Sequence, residues 1–269
     1  MKNIGGRMDG ISLHYYTVTG WQGSKGAATV FSPDDYYWTM GKCLEIEDVI
    51  KRHISIMDKY DPNKNIDLLV DEWGTWWDEE PGTTPGHLFQ QNTMRDAFVA
   101  ALTLNIFHKY VDRIKMANIA QIVNVLQSMI LTDGPKMVLT PTYHVFEMYN
   151  VHQDATYIPL DIECERKVVR DDRIVPMLSA TASKDKDGLV HISLANVNLE
   201  ESQTVSIDLD GIKNKAVTGR ILVSEKIDDY NSFENPDKVK PVAFKDCKIS
   251  GGKLVVNVPA QSIVALELK

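Results

Sequence analysis

Residues 68–77 read Leu68-Leu69-Val70-Asp71-Glu72-Trp73-Gly74-Thr75-Trp76-Trp77. An apolar run ends in two acids, and three tryptophans around a glycine come at once after them. Buried parallel strands look like this, because both of their faces are covered and they read as continuous apolar runs. A carboxylate at the C-terminal end of such a strand lies where α/β barrels and sheets carry their chemistry. Indole faces stack on the C–H faces of sugar rings. An oxocarbenium-like transition state at the anomeric carbon needs a nearby negative charge. The segment therefore points to chemistry on sugars, with Glu72 as the leading carboxylate. An acid at a strand end can also simply cap the next element. The flanking Trp73, Trp76 and Trp77 weigh against that reading. Asp71 is the competing carboxylate and reads as a structural acid turned toward a neighbouring strand.

Working outward, the first half alternates strand and helix. Ile11–Val18 is β-branched and aromatic, as strands are. Ser32-Pro33-Asp34-Asp35 is a helix start: a capping serine, a proline at the first turn, then acids at the positive end. The apolar stripe Leu44, Ile46, Val49, Ile50 and Ile54 carries that helix to about Tyr60. A turn at Asp61–Asn65 leads into a strand at Ile66–Val70. A loop at Glu79–Gly86 precedes a long helix expected over about Leu88 to Tyr110. Ile114–Val125 fits strand or helix by periodicity, and Pro141–Val151 reads as a helix. This order implies a parallel sheet or barrel. A complete (β/α)8 barrel usually needs about 250 residues, so this region holds only three βα units.

From about Ala155 the pattern changes to short alternating strands, at Val190–Leu194, Val205–Leu209, Leu254–Val258 and Ile263–Leu268. Gly-, Asn- and Asp-rich turns separate them. That is the signature of an all-β sandwich. The polar stretch Asp228–Lys240 reads as a long surface loop. The expected organisation is a partial α/β portion over 1–154 and a β-sandwich over 155–269.

The 269 residues carry a formal net charge of −8, which argues against nucleic acid and anionic membrane as partners. No apolar run approaches the roughly 18 residues of a membrane span. Cys43, Cys164 and Cys247 form neither a metal spacing nor a disulfide framework and fit a reducing compartment or merely incidental thiols; of the possible locations the cytoplasm is favoured. His108, His144 and His152 are scattered with no pair at metal spacing, so neither metal nor cofactor is expected. His14, Tyr15 and Tyr16 share the first strand, and a tyrosine hydroxyl there can hold a catalytic carboxylate. Aromatic residues in a strand are more often packing. Tyr36, Tyr37 and Trp38 read as core or rim.

Asp71-Glu72-Trp73, the strand carrying His14-Tyr15-Tyr16, the run Met116-Ala117-Asn118-Ile119-Ala120-Gln121-Ile122-Val123-Asn124-Val125, and Thr140-Pro141-Thr142-Tyr143-His144-Val145-Phe146 together resemble glycoside hydrolase family 51, the α-L-arabinofuranosidases. The likeness extends over nearly the whole chain. It implies the C-terminal part of a (β/α)8 barrel, its last three βα units, followed by a jelly-roll-like β-sandwich. It implies that Glu72 is the nucleophile, that Tyr16 orients it, and that His14, Trp76 and Gln121 contact the sugar. It implies retaining hydrolysis of terminal α-L-arabinofuranosyl units from glycans by a homo-oligomeric parent enzyme. One departure stands out. The family's acid/base is the Glu of an Asn-Glu pair, and no Asn-Glu dipeptide occurs in the 269 residues. The chain is therefore expected to be a truncated portion whose N-terminus lies elsewhere. Two alternatives are a non-catalytic carbohydrate-binding or interaction module, and another retaining glycosidase of the same architecture, such as a β-xylosidase or endoglucanase.

Overall fold

The computed structural model describes residues 1–3, 7–212 and 216–269. The α/β portion runs β1 (Gly10–Thr17), α1 (Pro33–Tyr60), β2 (Asp67–Thr75), α2 (Met94–Lys109) and β3 (Ile114–Ile119). The three strands form one parallel sheet in the order β1-β2-β3. The helix start at Ser32 is a full capping box: the Ser32 side chain accepts from Asp35 N, and Asp35 returns to the Ser32 backbone. The Ile46 and Ile50 positions of the expected stripe are fully buried.

The second long helix begins at Met94, not at Leu88. Leu88 has a positive φ of 54°, and its carbonyl accepts from Leu126 N. Phe89 O accepts from Glu80 N, and Gln90 and Asn92 are spent on tertiary hydrogen bonds. Long-range pairing thus overrides local helix propensity until Thr93, which caps the helix reciprocally with Asp96. The ambiguous stretch after Ile114 resolves into a six-residue strand followed by irregular chain. A hairpin then appears, β4 (Ile130–Asp133) and β5 (Lys136–Leu139), turning at Gly134. After it comes α3 (Pro141–Tyr149), capped by Thr140.

One face of the parallel sheet is packed under helices. Leu13, Leu68, Val70 and Trp73 join Ile46, Ile50, Phe98, Leu102 and Val145 in one core. The opposite face carries Ser12, His14, Tyr16, Leu69, Asp71, Glu72, Met116 and Asn118, all exposed or half-buried. Three strands cannot close a barrel, and β1 and β3 each keep an unpaired edge in the described sheet. Among the described residues no helix is long and apolar enough to cross a membrane.

The rest is antiparallel. It comprises β6 (Thr156–Ile158), the hairpin β7 (Arg166–Val168) with β8 (Ile174–Pro176), β9 (Leu178–Lys184), β10 (Val190–Asn196), β11 (Gln203–Asp208), β12 (Val217–Val223), β13 (Val242–Phe244), β14 (Cys247–Ser250), β15 (Lys253–Val258) and β16 (Ser262–Leu268). A six-stranded sheet, β13-β12-β16-β10-β9-β6, and a three-stranded sheet, β11-β15-β14, pack face to face. Ile192, Leu194, Val264 and Leu266 of one meet Leu254, Val256 and Val258 of the other.

The α/β portion and the sandwich share one core, since Val175, Val197, Leu222, Val239 and Ile263 cluster with the helices. Polar contacts fix the docking. Tyr36 donates to Val197 O at 3.1 Å, and Asn105 reaches Ser179 at 2.9 Å. His152, which looked isolated in the sequence, is buried between Ser183 and Ser193 at 2.7 and 2.8 Å. His108 sits beside it on Thr181.

The 228–240 stretch is also more than a surface loop. Asp229, Asn231 and Val239 are buried, and the carbonyls of Ile227 and Asp229 accept from Arg95 N and Met94 N at the start of α2. A polar sequence is compatible with burial here because its amides satisfy one another: Asn231 bonds Leu139 O and both backbone groups of Val239.

Candidate active site

Between Val70 and Trp73, β2 has one residue more than either neighbour. Ser12 and His14 of β1 face Leu69 and Glu72, while Ala117 and Ile119 of β3 face Val70 and Trp73. A strand's side chains alternate, so an extra residue re-aims the side chains beyond it. Val70 and Trp73 both stay in the helix-covered core, while Asp71 and Glu72 both reach β1 on the open face. The Glu72 side chain is 39% exposed.

Tyr16 donates to Glu72 Oε1 at 2.5 Å. Burial, then the facing Glu72 carboxylate, raises the Tyr16 pKa above that of an ordinary phenol, so Tyr16 remains a donor at neutral pH. His14 Nδ1 lies 3.5 Å from Glu72 Oε2, and its Nε2 lies 3.1 Å from Asp71 Oδ1. Trp76 packs edge-on against Tyr16 at 5.2 Å between ring centroids, and the exposed Trp21 meets Trp76 at 5.9 Å. The result is an open shelf with a held carboxylate and an aromatic wall.

The chain beyond Glu72 is fixed from below. Gly74 adopts φ +150°, and a Cβ there would lie 3.2 Å from Gln127 Cβ and 3.3 Å from Ala120 O. Thr75 N donates to buried Gln127 at 2.8 Å, and Thr75 Oγ1 donates to Asp96 at 2.6 Å. The Trp77 indole donates to the same Asp96 oxygen at 2.8 Å. Asp96, at the first turn of α2, thus ties the end of β2 to that helix. Arg95 beside it lies between Phe31 and Trp77, donates to the carbonyls of Ala27 and Ala28, and is lowered by burial to about 10, which leaves it charged.

Glu72, Tyr16, His14 and Trp76 come together as expected. Gln121 stands two residues past Ile119, the β3 partner of Trp73, at the same end of the sheet. Its backbone is pinned to Val125 and Met129, and its exposed amide makes no hydrogen bond among the described residues. The aromatic floor differs from the expectation. Trp73 is buried against Phe107 and Phe146, and Trp77 against Arg95, so of that trio Trp76 alone packs on Tyr16, the residue bonded to the carboxylate. The extra residue in β2 explains Trp73, which it returns to the core face with Val70, and the Asp96 bond explains Trp77. Asp71 does face the neighbouring strand, bonding Ser12 at 2.7 Å. The roles of Ser12, Gln127 and Asp96 carried no local signal, because each depends on a partner more than fifteen positions away. A cavity of about 470 Å³ lies beside Met116, Phe146 and His108.

Residues 71–262 match the family model described as the alpha-L-arabinofuranosidase C-terminal domain. The chain is 67% identical, over all 269 residues, to an intracellular exo-alpha-L-arabinofuranosidase from Bacteroides ovatus, covering 52% of that protein. It superimposes on the GH51 arabinofuranosidase of Xanthomonas axonopodis pv. citri with a TM-score of 0.94 at 48% identity, covering 97% of this chain and 53% of the other. A family 51 alpha-L-arabinofuranosidase from Bifidobacterium longum, 21% identical, shares the fold with a TM-score of 0.83 over 98% of this chain and 53% of its own. The chain belongs to the glycoside hydrolase family 51 α-L-arabinofuranosidases and corresponds to their C-terminal portion. It spans about half the length of the relatives it matches.

Proposed function

We propose that this chain supplies the nucleophile half of a retaining exo-α-L-arabinofuranosidase. In this reading residues 1–154 are the last three βα units of a (β/α)8 catalytic barrel, and residues 155–269 are a jelly-roll-like C-terminal sandwich. The exposed polar face of the parallel sheet supports it, since such sheets are normally covered on both sides, and inward-facing residues of a barrel would occupy that position. Glu72 attacks the anomeric carbon of a terminal arabinofuranosyl unit. Tyr16 orients the carboxylate, and His14, Trp76 and Gln121 contact the sugar. A second carboxyl about 5–5.5 Å from the nucleophile protonates the leaving oxygen and then activates water. That acid/base lies outside these residues. The expected substrate is an arabinofuranosyl-bearing glycan, the expected setting is the cytoplasm, and the expected parent assembly is a homo-oligomer.

The observation that carries this reading is the Glu72 carboxylate at the end of β2, with Tyr16 on one oxygen, His14 near the other and Trp76 alongside. Hydrolysis of 4-nitrophenyl α-L-arabinofuranoside tests it. In whatever polypeptide shows turnover, Glu72→Gln is expected to abolish it. Full activity of Glu72→Gln would refute the assignment.

A further inference from the structure

We propose that Trp21 forms a second sugar platform: its exposed indole takes the ring to which the terminal arabinofuranosyl unit is linked, on the leaving side of the bond that breaks. The inference rests on the reading of Glu72 as the nucleophile of an enzyme that removes terminal units.

Of the five tryptophans, Trp38, Trp73 and Trp77 are buried, Trp76 is half-buried and Trp21 is 63% exposed. A lone exposed indole on a loose loop would need no explanation. The loop that carries Trp21 is tied down on both sides of it. At its start Trp76 N donates to Thr17 O at 3.2 Å. Thr19 Oγ1 donates to Lys25 O at 2.7 Å and closes the chain around Trp21. Asp78 accepts from Ser24 Oγ, and from Lys25 N at 2.9 Å, while its own N donates to Gly26 O at 3.0 Å. Buried Arg95 then donates to the carbonyls of Ala27 and Ala28. The loop leaves β1 at the C-terminal end of the parallel strands, the end at which such folds carry their sites. Fixed backbone on both flanks thus holds an apolar ring out in water beside the candidate nucleophile.

The rings form a row that starts at Glu72. Tyr16 donates to Glu72, Trp76 meets Tyr16 edge-on at 5.2 Å, and Trp21 meets Trp76 edge-on at 5.9 Å. Lys25 lies over the Trp76 ring, with Nζ 5.3 Å from the centroid, so Trp76 has neighbours on three sides. Among the described residues no cation lies over the Trp21 ring, and Trp76 is the only aromatic ring it meets. An enzyme that removes terminal units holds one sugar ring at its nucleophile, and every further ring lies on the leaving side. Trp21 stands one ring farther along the wall than Trp76, so a sugar seated on it is the unit that departs. An indole carries no charge and offers an apolar face to the C–H face of a sugar, so the ligand is a neutral sugar ring. A contact this remote from the reacting bond is lost when the substrate is shortened, and its loss shows in kcat/KM.

Indole ¹H–¹⁵N spectra of the 269-residue chain test the binding without catalysis. Trp21→Phe assigns the Trp21 signal, and backbone amide spectra verify folding. Titration with arabinotriose, an α-linked arabinofuranosyl trimer, is expected to shift that signal. Free L-arabinose, which has no leaving unit, is expected to shift it far less. A trimer titration that leaves Trp21 unmoved, or an equal shift with arabinose, would overturn the proposal. In whatever polypeptide shows turnover, kcat/KM is compared for arabinotriose and for methyl α-L-arabinofuranoside. Trp21→Ala is expected to lower the ratio of the first to the second by about 3–10-fold, the scale of one aromatic contact, and Trp21→Phe to keep most of it. Equal losses on the two substrates would mark Trp21 as structural and count against the platform. Should Glu72→Gln keep its turnover, the nucleophile reading fails by itself, while the titration still decides whether Trp21 takes a sugar ring.

Discussion

At the residue scale the chemistry turns on which groups touch Glu72. Tyr16 is expected to matter through one charge-assisted hydrogen bond of about 1.5–3 kcal/mol. Tyr16→Phe should therefore reduce kcat about 10–100-fold without unfolding the chain, measured by steady-state kinetics and circular dichroism together. An unchanged kcat would show that Oε1 is held by something other than the phenol. Glu72 and its tryptophans were legible from residues 68–77 because strand pattern, carboxylate and aromatics coincide there. Which tryptophan faces the carboxylate was not legible. Alternation predicts one answer, and the extra residue between Val70 and Trp73 gives another; a bulge has no signature in a single strand because it exists relative to its neighbours.

At the element scale the end of β2 is held in place by strain and buried polar bonds. Gly74 at φ +150° lies against Gln127, so Gly74→Ala is expected to destabilise the chain by about 1–3 kcal/mol. A chemical denaturation midpoint unchanged from the parent would contradict this. The seam between α2, α3 and the sandwich is a second such place. Burial pushes His108 down to about 4 and His152 down to about 3, the latter aided by the neighbouring His108 and His191 charges. Both groups are neutral when folded and protonate near their ordinary value of about 6.5 when unfolded. The unfolded chain thus binds more protons below that pH. The stability they contribute is complete above about 6.5 and is lost as pH falls toward 4, on the order of 2 kcal/mol per histidine by pH 5. Thermal melts from pH 7 to 5 should show the midpoint falling, and replacing His152 with Gln should flatten the slope. A parent midpoint flat over that range would show that the seam opens without protonation.

Element types were largely readable, because capping boxes and alternating strands are local signals. The Ser32 start of α1 and the strands at Val190, Val205, Leu254 and Ile263 show this. The start of α2 and the buried 228–240 stretch were not readable, because both are decided by hydrogen bonds to other segments of the chain, some of them more than a hundred residues away.

At the scale of the whole molecule, the parallel sheet leaves one face and the outer edges of β1 and β3 without a partner among the described residues. Unpaired edges invite further strand pairing. A polypeptide supplying the remainder of a family 51 barrel is expected to bind this chain and raise arabinofuranoside turnover. General acid/base help alone accounts for roughly 10²–10⁴-fold. Turnover by the 269-residue chain equal to that of a whole family member would contradict the proposed division of labour.

The most direct test of the central claim is covalent trapping. A 2-fluoro arabinofuranosyl donor with an activated leaving group needs no acid to depart, and its glycosyl-enzyme adduct hydrolyses slowly. Peptide mass spectrometry after incubation should find one adduct, on Glu72, absent from Glu72→Gln. An adduct on another carboxylate, or one that survives Glu72→Gln, would contradict the assignment of Glu72 as nucleophile.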